Sequence, residues 1–101
     1  MNKLIIIGAG GHARSAVDVI ESEGKHEIVG FIDNSIAPGT KFCGYSILGS
    51  DEDLPDMITR SEHALIGIGQ ISDPELRKNL FLNLKKIGFQ LPSVISPRAL
   101  V

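Results

Sequence analysis

The chain has 101 residues, of which 43% are hydrophobic and 22% are charged, with a formal net charge of −2 at pH 7. This length suits one domain and excludes a two-domain enzyme or a complete six-stranded dinucleotide-binding fold. The slight acidic excess excludes the basic surface that nucleic-acid binding needs. No apolar run approaches the ~20 residues of a membrane span, so we expect no membrane partner. Together, charge and hydropathy predict a globular domain without nucleic-acid or membrane partners.

The cysteine and histidine residues indicate neither a disulfide nor a metal centre. Cys43 is the single cysteine, which excludes an internal disulfide. The three histidines are scattered along the chain without metal-ligand spacing, so we expect no metal site. His26 and His63 precede apolar runs and are expected in solvated loops. The apolar stretch at residues 4–7 is too short for a signal peptide, which favours a cytoplasmic location.

Apolar runs that alternate with helical patterns predict the fold. The runs are typical of five strands, at residues 4–7, 28–32, 45–49, 64–69 and 89–95. Residues 35–42 have the composition of a turn-rich loop. Three helices are predicted, from His12 to Gly24, a short acidic one from Ser50, and one from Pro74 to Gly88. This order predicts an α/β fold, a three-layer Rossmann-like open parallel sheet of strand order 3-2-1-4-5 with helices on both faces.

A glycine-rich segment lies between the first predicted strand and the first predicted helix. It reads Gly8-Ala9-Gly10-Gly11-His12-Ala13 and fits the pattern G-x-G-x-x-A. Glycines allow a tight turn and close approach of the backbone, and a helix N-terminus offers free N–H groups to a phosphate. Gly10, Gly11, His12 and Ala13 are therefore candidate phosphate-binding residues. The alternative is that the glycines only pack the helix against the sheet.

Polar residues at two further strand ends complete the candidate site. Asp33 and Asn34 follow the second strand, and Gly69 and Gln70 end the fourth. In open α/β sheets, ligands bind at the carboxyl ends of the strands. A carboxylate suits ribose hydroxyls, and an amide both donates and accepts towards a base or sugar. His12 has no carboxylate neighbour along its helix, so we expect it to contact ligand, and no catalytic residue is assigned.

Four segments together resemble one family. They are LIIIGAGGHA from Leu4, VGFIDN from Val29, ILGS from Ile47 and IGIGQ from Ile66. Their order and spacing resemble the sialic acid O-acetyltransferase family and its amino-sugar N-acetyltransferase relatives, which act in bacterial glycan synthesis. Members of that family have an N-terminal Rossmann-like domain that binds the sugar substrate, often as a UDP-sugar. A left-handed β-helix follows, which trimerises, binds acetyl-CoA and carries the catalytic histidine.

The resemblance implies a division of labour within a longer protein. Residues 1–95 would be the sugar-nucleotide-binding domain, and residues 96–101 would begin a β-helix that is absent from this chain. The segment 11–13 would contact the nucleotide phosphates, residues 33–34 would lie near the uridine, and residues 69–70 would face the base or sugar. The full-length protein would be an acetyl-CoA-dependent homotrimer. This chain alone would be a monomer that binds substrate without transferring an acetyl group.

Two other functions remain open at the level of sequence. One is a nicotinamide-cofactor domain of an oxidoreductase, which the glycine-rich segment and the well-spaced Asp33 favour and the short chain disfavours. The other is a regulatory or assembly domain without enzymatic activity, in which the glycines are purely structural. Binding of a nucleotide-linked sugar or of NADH separates these alternatives from the acetyltransferase hypothesis.

Overall fold

The computed structural model describes residues 2–67 and 74–91 of the chain. Strands and helices alternate along most of this length. The elements in chain order are β1 (Asn2–Ile7), α1 (Gly11–Glu23), β2 (His26–Ile32), β3 (Lys41–Phe42), β4 (Tyr45–Gly49), a 3-10 turn (Asp51–Asp53), α2 (Leu54–Met57), β5 (His63–Ile66) and α3 (Pro74–Ile87).

The strands form one sheet in the order β3-β4-β2-β1-β5. β1 lies between β2 and β5 and pairs in parallel with both. Ile7, the last residue of β1, is opposite Ile32 of β2 and Ile66 of β5. The carboxyl ends of three strands therefore meet at one edge of the sheet, which is where open α/β sheets bind ligands.

The structure confirms the predicted Rossmann-like α/β fold and the order of its four main strands, and it adds one strand. Lys41 and Phe42 pair antiparallel with β4, although the sequence predicts a loop there. The two strands are joined through Cys43 and Gly44, which have φ of 54° and 86°. These values match the tight hairpin turn with two left-handed residues, in which a glycine is favoured.

The predicted position of two histidines is wrong, and most of the predicted last strand lies outside the described residues. His26 and His63 are the first residues of β2 and β5 and are half-buried, so their expected place in solvated loops is wrong. Of the predicted last strand, Gln90 forms an isolated parallel bridge with His63. Residues 92–95 of that strand, and residues 96–101 after it, lie outside the described part.

The core has two layers, one on each face of the sheet. Side chains of β1 alternate between them, and Leu4 to Ile7 are all buried because helices cover both faces. The layer beneath α1 consists of Leu4, Ile6, Ala13, Val17, Ile20, Ile28, Phe31 and Ile47. The layer beneath α2 and α3 consists of Ile5, Ile7, Ile32, Leu54, Ala64, Leu84 and Phe89. Each large buried aliphatic side chain contributes about 1.5–3 kcal/mol, so these layers fix the sheet edge that carries the candidate site.

The helices end where the sequence signals predict. α1 is followed by Gly24, whose φ of 67° lies in the left-handed region and whose N–H donates to the carbonyl of Ile20 at 3.1 Å. Before α2, the N–H of Ser50 donates to the Asp53 carboxylate at 2.9 Å, which is one of the two hydrogen bonds of a capping box. In residues 2–67 and 74–91, no helix combines the length and apolar character needed to cross a membrane.

Candidate functional site

A cleft of about 340 Å³ lies at the carboxyl edge of the sheet. It is bounded by the loop after β1, the start of α1, the residue after β2 and the residue after β5. Its lining residues are Gly8, Ala9, Gly10, Gly11, His12, Asp33 and Gly67. The cleft therefore brings together Gly10, Gly11, His12 and Asp33 of the residues that the sequence predicts for the site.

The loop after β1 turns sharply because of Gly8. Its φ is 98°, a conformation that side chains with a Cβ rarely adopt. The N–H of Gly8 donates to the carbonyl of Ile32 at 2.7 Å, and the N–H of Gly67 donates to the carbonyl of Ile7 at 2.8 Å. These two bonds continue the pairing of the strands beyond their last residues and fix the floor of the cleft.

The N-terminus of α1 opens into the cleft without a cap. Gly10 is its N-cap residue, no side chain of the described part caps it, and the first turn contains no acidic residue. The first backbone bond joins the N–H of Arg14 to the carbonyl of Gly10 at 3.0 Å. The N–H groups of Gly11, His12 and Ala13 precede it and have no partner within the helix. This end of α1 is therefore a set of free donors with a partial positive charge.

Gly10 and Gly11 have neither a conformational nor a packing reason to be glycine. Gly10 has an extended backbone, with φ of −148°, and Gly11 lies in the helix. A Cβ added at either position would meet no atom within 4 Å. Gly67 differs, because a Cβ there would lie 2.7 Å from Cγ2 of Ile6. Close packing therefore explains Gly67, whereas it does not explain the two glycines at the start of α1.

The carboxylate of Asp33 ties the end of β2 to the glycine-rich loop. Its Oδ2 accepts a hydrogen bond from the N–H of Ala9 at 2.9 Å. Its Oδ1 accepts two from Ser35, from the backbone N–H at 2.8 Å and from the hydroxyl at 2.6 Å. Burial alone would raise the pKa of Asp33, but the hydrogen bonds from Ser35 and Ala9 together lower it below its ordinary value. Asp33 is therefore a charged group that holds the loop in place.

The remaining predicted site residues lie in different surroundings. Asn34 is exposed, and its side-chain amide donates to the Asp51 carboxylate at 3.1 Å while its oxygen accepts the Asp51 N–H at 2.8 Å. It thus joins the loop after β2 to the 3-10 turn and does not line the cleft. The side chain of Ala13 is buried in the core layer beneath α1, and Ala13 does not line the cleft. Gly69 and Gln70 lie outside the described residues.

Ser35 is the site residue that reasoning from sequence missed. Its hydroxyl and N–H together fix the orientation of the Asp33 carboxylate. The spacing Asp-x-Ser after a strand is the signature of a turn in which the aspartate side chain bonds the backbone two residues later. That signal was available in the sequence. The contact between Ala9 and Asp33 was not, because 24 positions separate the two residues.

Comparison with known families identifies the domain. The family model described as the PglD N-terminal domain matches residues 3–84, which is most of the chain. The chain belongs to this family. The resemblance to the N-terminal domain of the sugar acetyltransferases is thereby confirmed. No curated protein matches the chain.

Solved structures agree with membership of the PglD N-terminal domain family. Perosamine N-acetyltransferase from Caulobacter crescentus, in complex with CoA and GDP-perosamine, matches with a TM-score of 0.80 and 26% identity, covering 96% of this chain. The acetyltransferase domain of PglB from Neisseria gonorrhoeae matches with a TM-score of 0.74 and 26% identity, covering 91%. The chain spans 44% and 43% of the length of these two proteins.

A third solved structure shares the fold alone. UDP-D-quinovosamine 4-dehydrogenase from Vibrio fischeri matches with a TM-score of 0.71, covering 89% of this chain and 75% of that one. The identity is 19%, which is too low to carry an argument about activity. A Rossmann-like sheet hosts many unrelated functions, so this match adds nothing to the fold already described.

Proposed function

We propose that this chain is the substrate domain of a bacterial sugar acetyltransferase and that its cleft binds a nucleotide-linked sugar, with the phosphates at the N-terminus of α1. The observation that carries this proposal is the pair Gly10 and Gly11, which the chain itself does not require to be glycine. Without side chains, the uncapped N–H groups stay open to a bulky anion. The interpretation in which the glycines serve packing explains Gly67, but it does not explain Gly10 and Gly11.

The electrostatics of the N-terminus of α1 support a phosphate there. No acidic residue in the first turn neutralises the helix dipole. In our proposal the N–H groups of Gly11, His12 and Ala13 donate to phosphate oxygens, and the exposed His12 side chain adds a further donor. Gly10 leaves room for the phosphates to approach the backbone.

In our proposal the Asp33 carboxylate contacts the base or sugar, while the N–H groups at the start of α1 bind the phosphates. A carboxylate has about four acceptor positions, and Asp33 uses three of them for Ala9 and Ser35. We propose that the fourth accepts a hydrogen bond from a ligand hydroxyl or base N–H. Asn34 would contribute indirectly, by holding the loop after β2 against Asp51. Gly69 and Gln70 stay proposed contacts for the base or sugar.

The chemistry of acetyl transfer is assigned to the rest of the protein. General-base catalysis needs a base close to the attacking amine or hydroxyl of the sugar. His12 makes no hydrogen bond to a carboxylate within residues 2–67 and 74–91, so nothing in the cleft orients it as a base. Because the relatives are more than twice as long as this chain, we propose that acetyl-CoA binding, the catalytic base and trimer formation belong to a β-helix domain that follows residue 95.

The substrate class follows from the relatives and stays a proposal for this chain. The Caulobacter crescentus protein was solved with GDP-perosamine and CoA, which supports a nucleotide-linked amino sugar as the ligand type. A sialic acid is the other candidate that the family resemblance offers. Both would place the protein in surface glycan synthesis, in the cytoplasm.

Calorimetric titration of this chain tests the proposal. UDP-linked and GDP-linked amino sugars, CMP-sialic acid and NADH are titrated separately under identical conditions. Saturable binding of one nucleotide-linked sugar, with NADH at least tenfold weaker, supports the proposal. NADH as the tightest ligand would favour an oxidoreductase domain, and the absence of heat with every compound would favour a domain without a ligand.

A further inference from the structure

The structure brings together two histidines that the sequence separates by 37 positions. His26 begins β2 and His63 begins β5, the two strands that flank β1. His26 is opposite Asn2, and His63 is opposite Leu4. Both therefore lie at the end of the sheet where the parallel strands begin. The cleft begins at Gly8, about 13 Å further along β1 at ~3.3 Å per residue.

The side chains of the two histidines are on the same face of the sheet. Leu4 and Ile28 belong to the core layer beneath α1. His26 lies two positions before Ile28, and His63 is the neighbour of Leu4, so strand alternation directs both to that face. The ring centroids are 5.7 Å apart, and the ring planes are inclined by 65°. The two imidazoles thus meet across the start of β1.

Both histidines lie in strands and have unused ring nitrogens. The N–H of His63 donates to the Ser61 hydroxyl oxygen at 3.3 Å, and that hydroxyl lies 2.8 Å from the carbonyl of His63. After α3, Gln90 forms an isolated parallel bridge with His63. Across residues 2–67 and 74–91, neither imidazole has a hydrogen-bond partner, and both rings are half-buried.

We propose that His26 and His63 form a two-histidine site for a divalent transition-metal ion of the Zn²⁺ class. A metal–nitrogen bond of about 2.0–2.1 Å places two imidazole centroids on one ion about 5–6 Å apart, and the observed 5.7 Å falls in this interval. No group of three or more His, Cys, Asp or Glu side chains within the described residues could hold a metal ion. In our proposal the two imidazoles are the only protein ligands from the described residues, and water molecules fill the other coordination positions.

The ligand set decides which ions bind. Neutral imidazole nitrogens suit Zn²⁺, Ni²⁺ and Cu²⁺, with Cu²⁺ the tightest of the series, whereas Mg²⁺ requires oxygen ligands. The site is independent of the proposed nucleotide-linked sugar, because it uses the opposite edge of the sheet. An ion bound by both histidines joins β2 to β5 across β1, so it stabilises the folded chain.

The test is a titration of the whole chain with Zn²⁺, with Mg²⁺ as the matched hard ion, followed by calorimetry and by the NMR signals of the histidine rings. We expect one Zn²⁺ per chain, shifts of both the His26 and His63 rings, and a higher Tm with Zn²⁺ alone. His26→Gln and His63→Gln are each expected to weaken Zn²⁺ binding at least tenfold. His12→Gln, at the other edge of the sheet, is the control and is expected to leave it unchanged.

A second measurement reads the ligands directly. Cu²⁺ bound to the chain is expected to show an electron paramagnetic resonance spectrum with two coordinated nitrogens, and one or none in either single variant. The proposal is overturned if Zn²⁺ binds the wild type no more tightly than it binds the two variants. It is equally overturned if His12→Gln alone abolishes binding, or if Mg²⁺ competes for the site. An unchanged circular dichroism spectrum confirms that each variant is folded, and retained nucleotide-sugar binding is a second control for His26→Gln and His63→Gln.

Discussion

At the scale of single residues, the glycines around the cleft are there for different physical reasons. Gly8 needs its φ of 98°, and Gly67 lacks the space for a Cβ next to Ile6. Gly10 and Gly11 have ordinary backbone angles and open space in front of them. A side chain at either position therefore meets no atom of the folded chain, whereas it would obstruct a ligand that approaches the backbone.

Gly11→Ala tests this distinction. Because alanine favours the helix and restricts the unfolded chain, we expect the free energy of unfolding to stay the same or to rise by up to about 1 kcal/mol. The added methyl group obstructs the phosphate position, so we expect affinity for a nucleotide-linked sugar to fall at least tenfold. Urea unfolding and calorimetry measure the two effects. Ser22→Ala, at the exposed far end of α1, is the matched control. A Gly11→Ala chain with undiminished affinity would place the phosphates elsewhere.

Asp33→Asn tests the network that holds the loop. The pKa of Asp33 is lower in the folded chain than its ordinary value, so the charged carboxylate stabilises the fold. That stabilisation is present at neutral pH and is lost as the pH falls through the lowered pKa. We expect Asp33→Asn to cost about 1–3 kcal/mol at pH 7, because the hydrogen bonds lose their charge. We expect this difference to shrink in acid.

The measurement for Asp33→Asn is urea unfolding at several pH values between neutral and strongly acidic. Asp18→Asn is the control, because Asp18 is an exposed carboxylate of α1. If Asp33→Asn destabilised the chain equally at every pH, the carboxylate charge would have no part in holding Ala9 and Ser35.

At the scale of elements, the β3–β4 hairpin is attached to α1 by two side-chain contacts. The hydroxyl of Tyr45 donates to the Glu21 carboxylate at 2.6 Å. The guanidinium of Arg14 lies 5.0 Å from the centre of the Phe42 ring. The hydrogen bond to Glu21, followed by burial, raises the pKa of Tyr45. The hairpin thus closes the edge of the sheet on the side of α1.

Tyr45→Phe measures the strength of this attachment. Removing the hydroxyl is expected to cost about 0.5–1.5 kcal/mol of unfolding free energy at neutral pH. Because the pKa of Tyr45 is raised in the folded chain, the contribution is complete below about pH 10 and is lost as the tyrosine ionises above it. A double-mutant cycle with Glu21→Gln isolates the pair, and a coupling energy of zero would mean that the contact does not hold the hairpin.

The elements that the sequence predicted are those with long, uniform patterns. The run from Leu4 to Ile7 and the periodic apolar face of α1 indicate a buried strand and a covering helix, and both are present. β3 was missed because two residues, Lys41 and Phe42, carry no readable period. The order of the strands follows from the topology of open parallel sheets, so it was accessible as well.

The side-chain contacts of the site were less accessible than the fold. The cleft was predictable because strand ends and a glycine-rich segment mark it in the sequence. The pairing of Asn34 with Asp51 joins residues 17 positions apart, and that of His26 with His63 depends on strand register. Contacts of this kind follow from tertiary structure, and a single sequence contains no signal for them.

At the scale of the whole molecule, the two proposed sites lie at opposite ends of the parallel strands of one sheet. The cleft lies at the carboxyl ends of β1, β2 and β5, and the histidine pair lies at the amino ends of β2 and β5. The two core layers hold these edges at a fixed separation. Ligands at the two sites are therefore expected to bind independently, since they share no residue.

The oligomeric state of this chain is a prediction at the same scale. The resemblance assigns trimer formation to the β-helix domain, so we expect the chain alone to be a monomer of 10.9 kDa. Size-exclusion chromatography with light scattering measures the mass. A stable species of three times that mass would show that the Rossmann-like domain itself drives trimer formation.

The most direct test of the central claim is an NMR titration of the ¹⁵N-labelled chain with a UDP-linked or GDP-linked amino sugar. Binding of the phosphates at the N-terminus of α1 predicts saturable shifts of the backbone amides of Gly11, His12 and Ala13, with those of His26 and His63 unmoved. It also predicts that Gly11→Ala abolishes or weakens these shifts at equal ligand concentration. Saturable shifts confined to other parts of the chain, or none with any nucleotide-linked sugar, would contradict it.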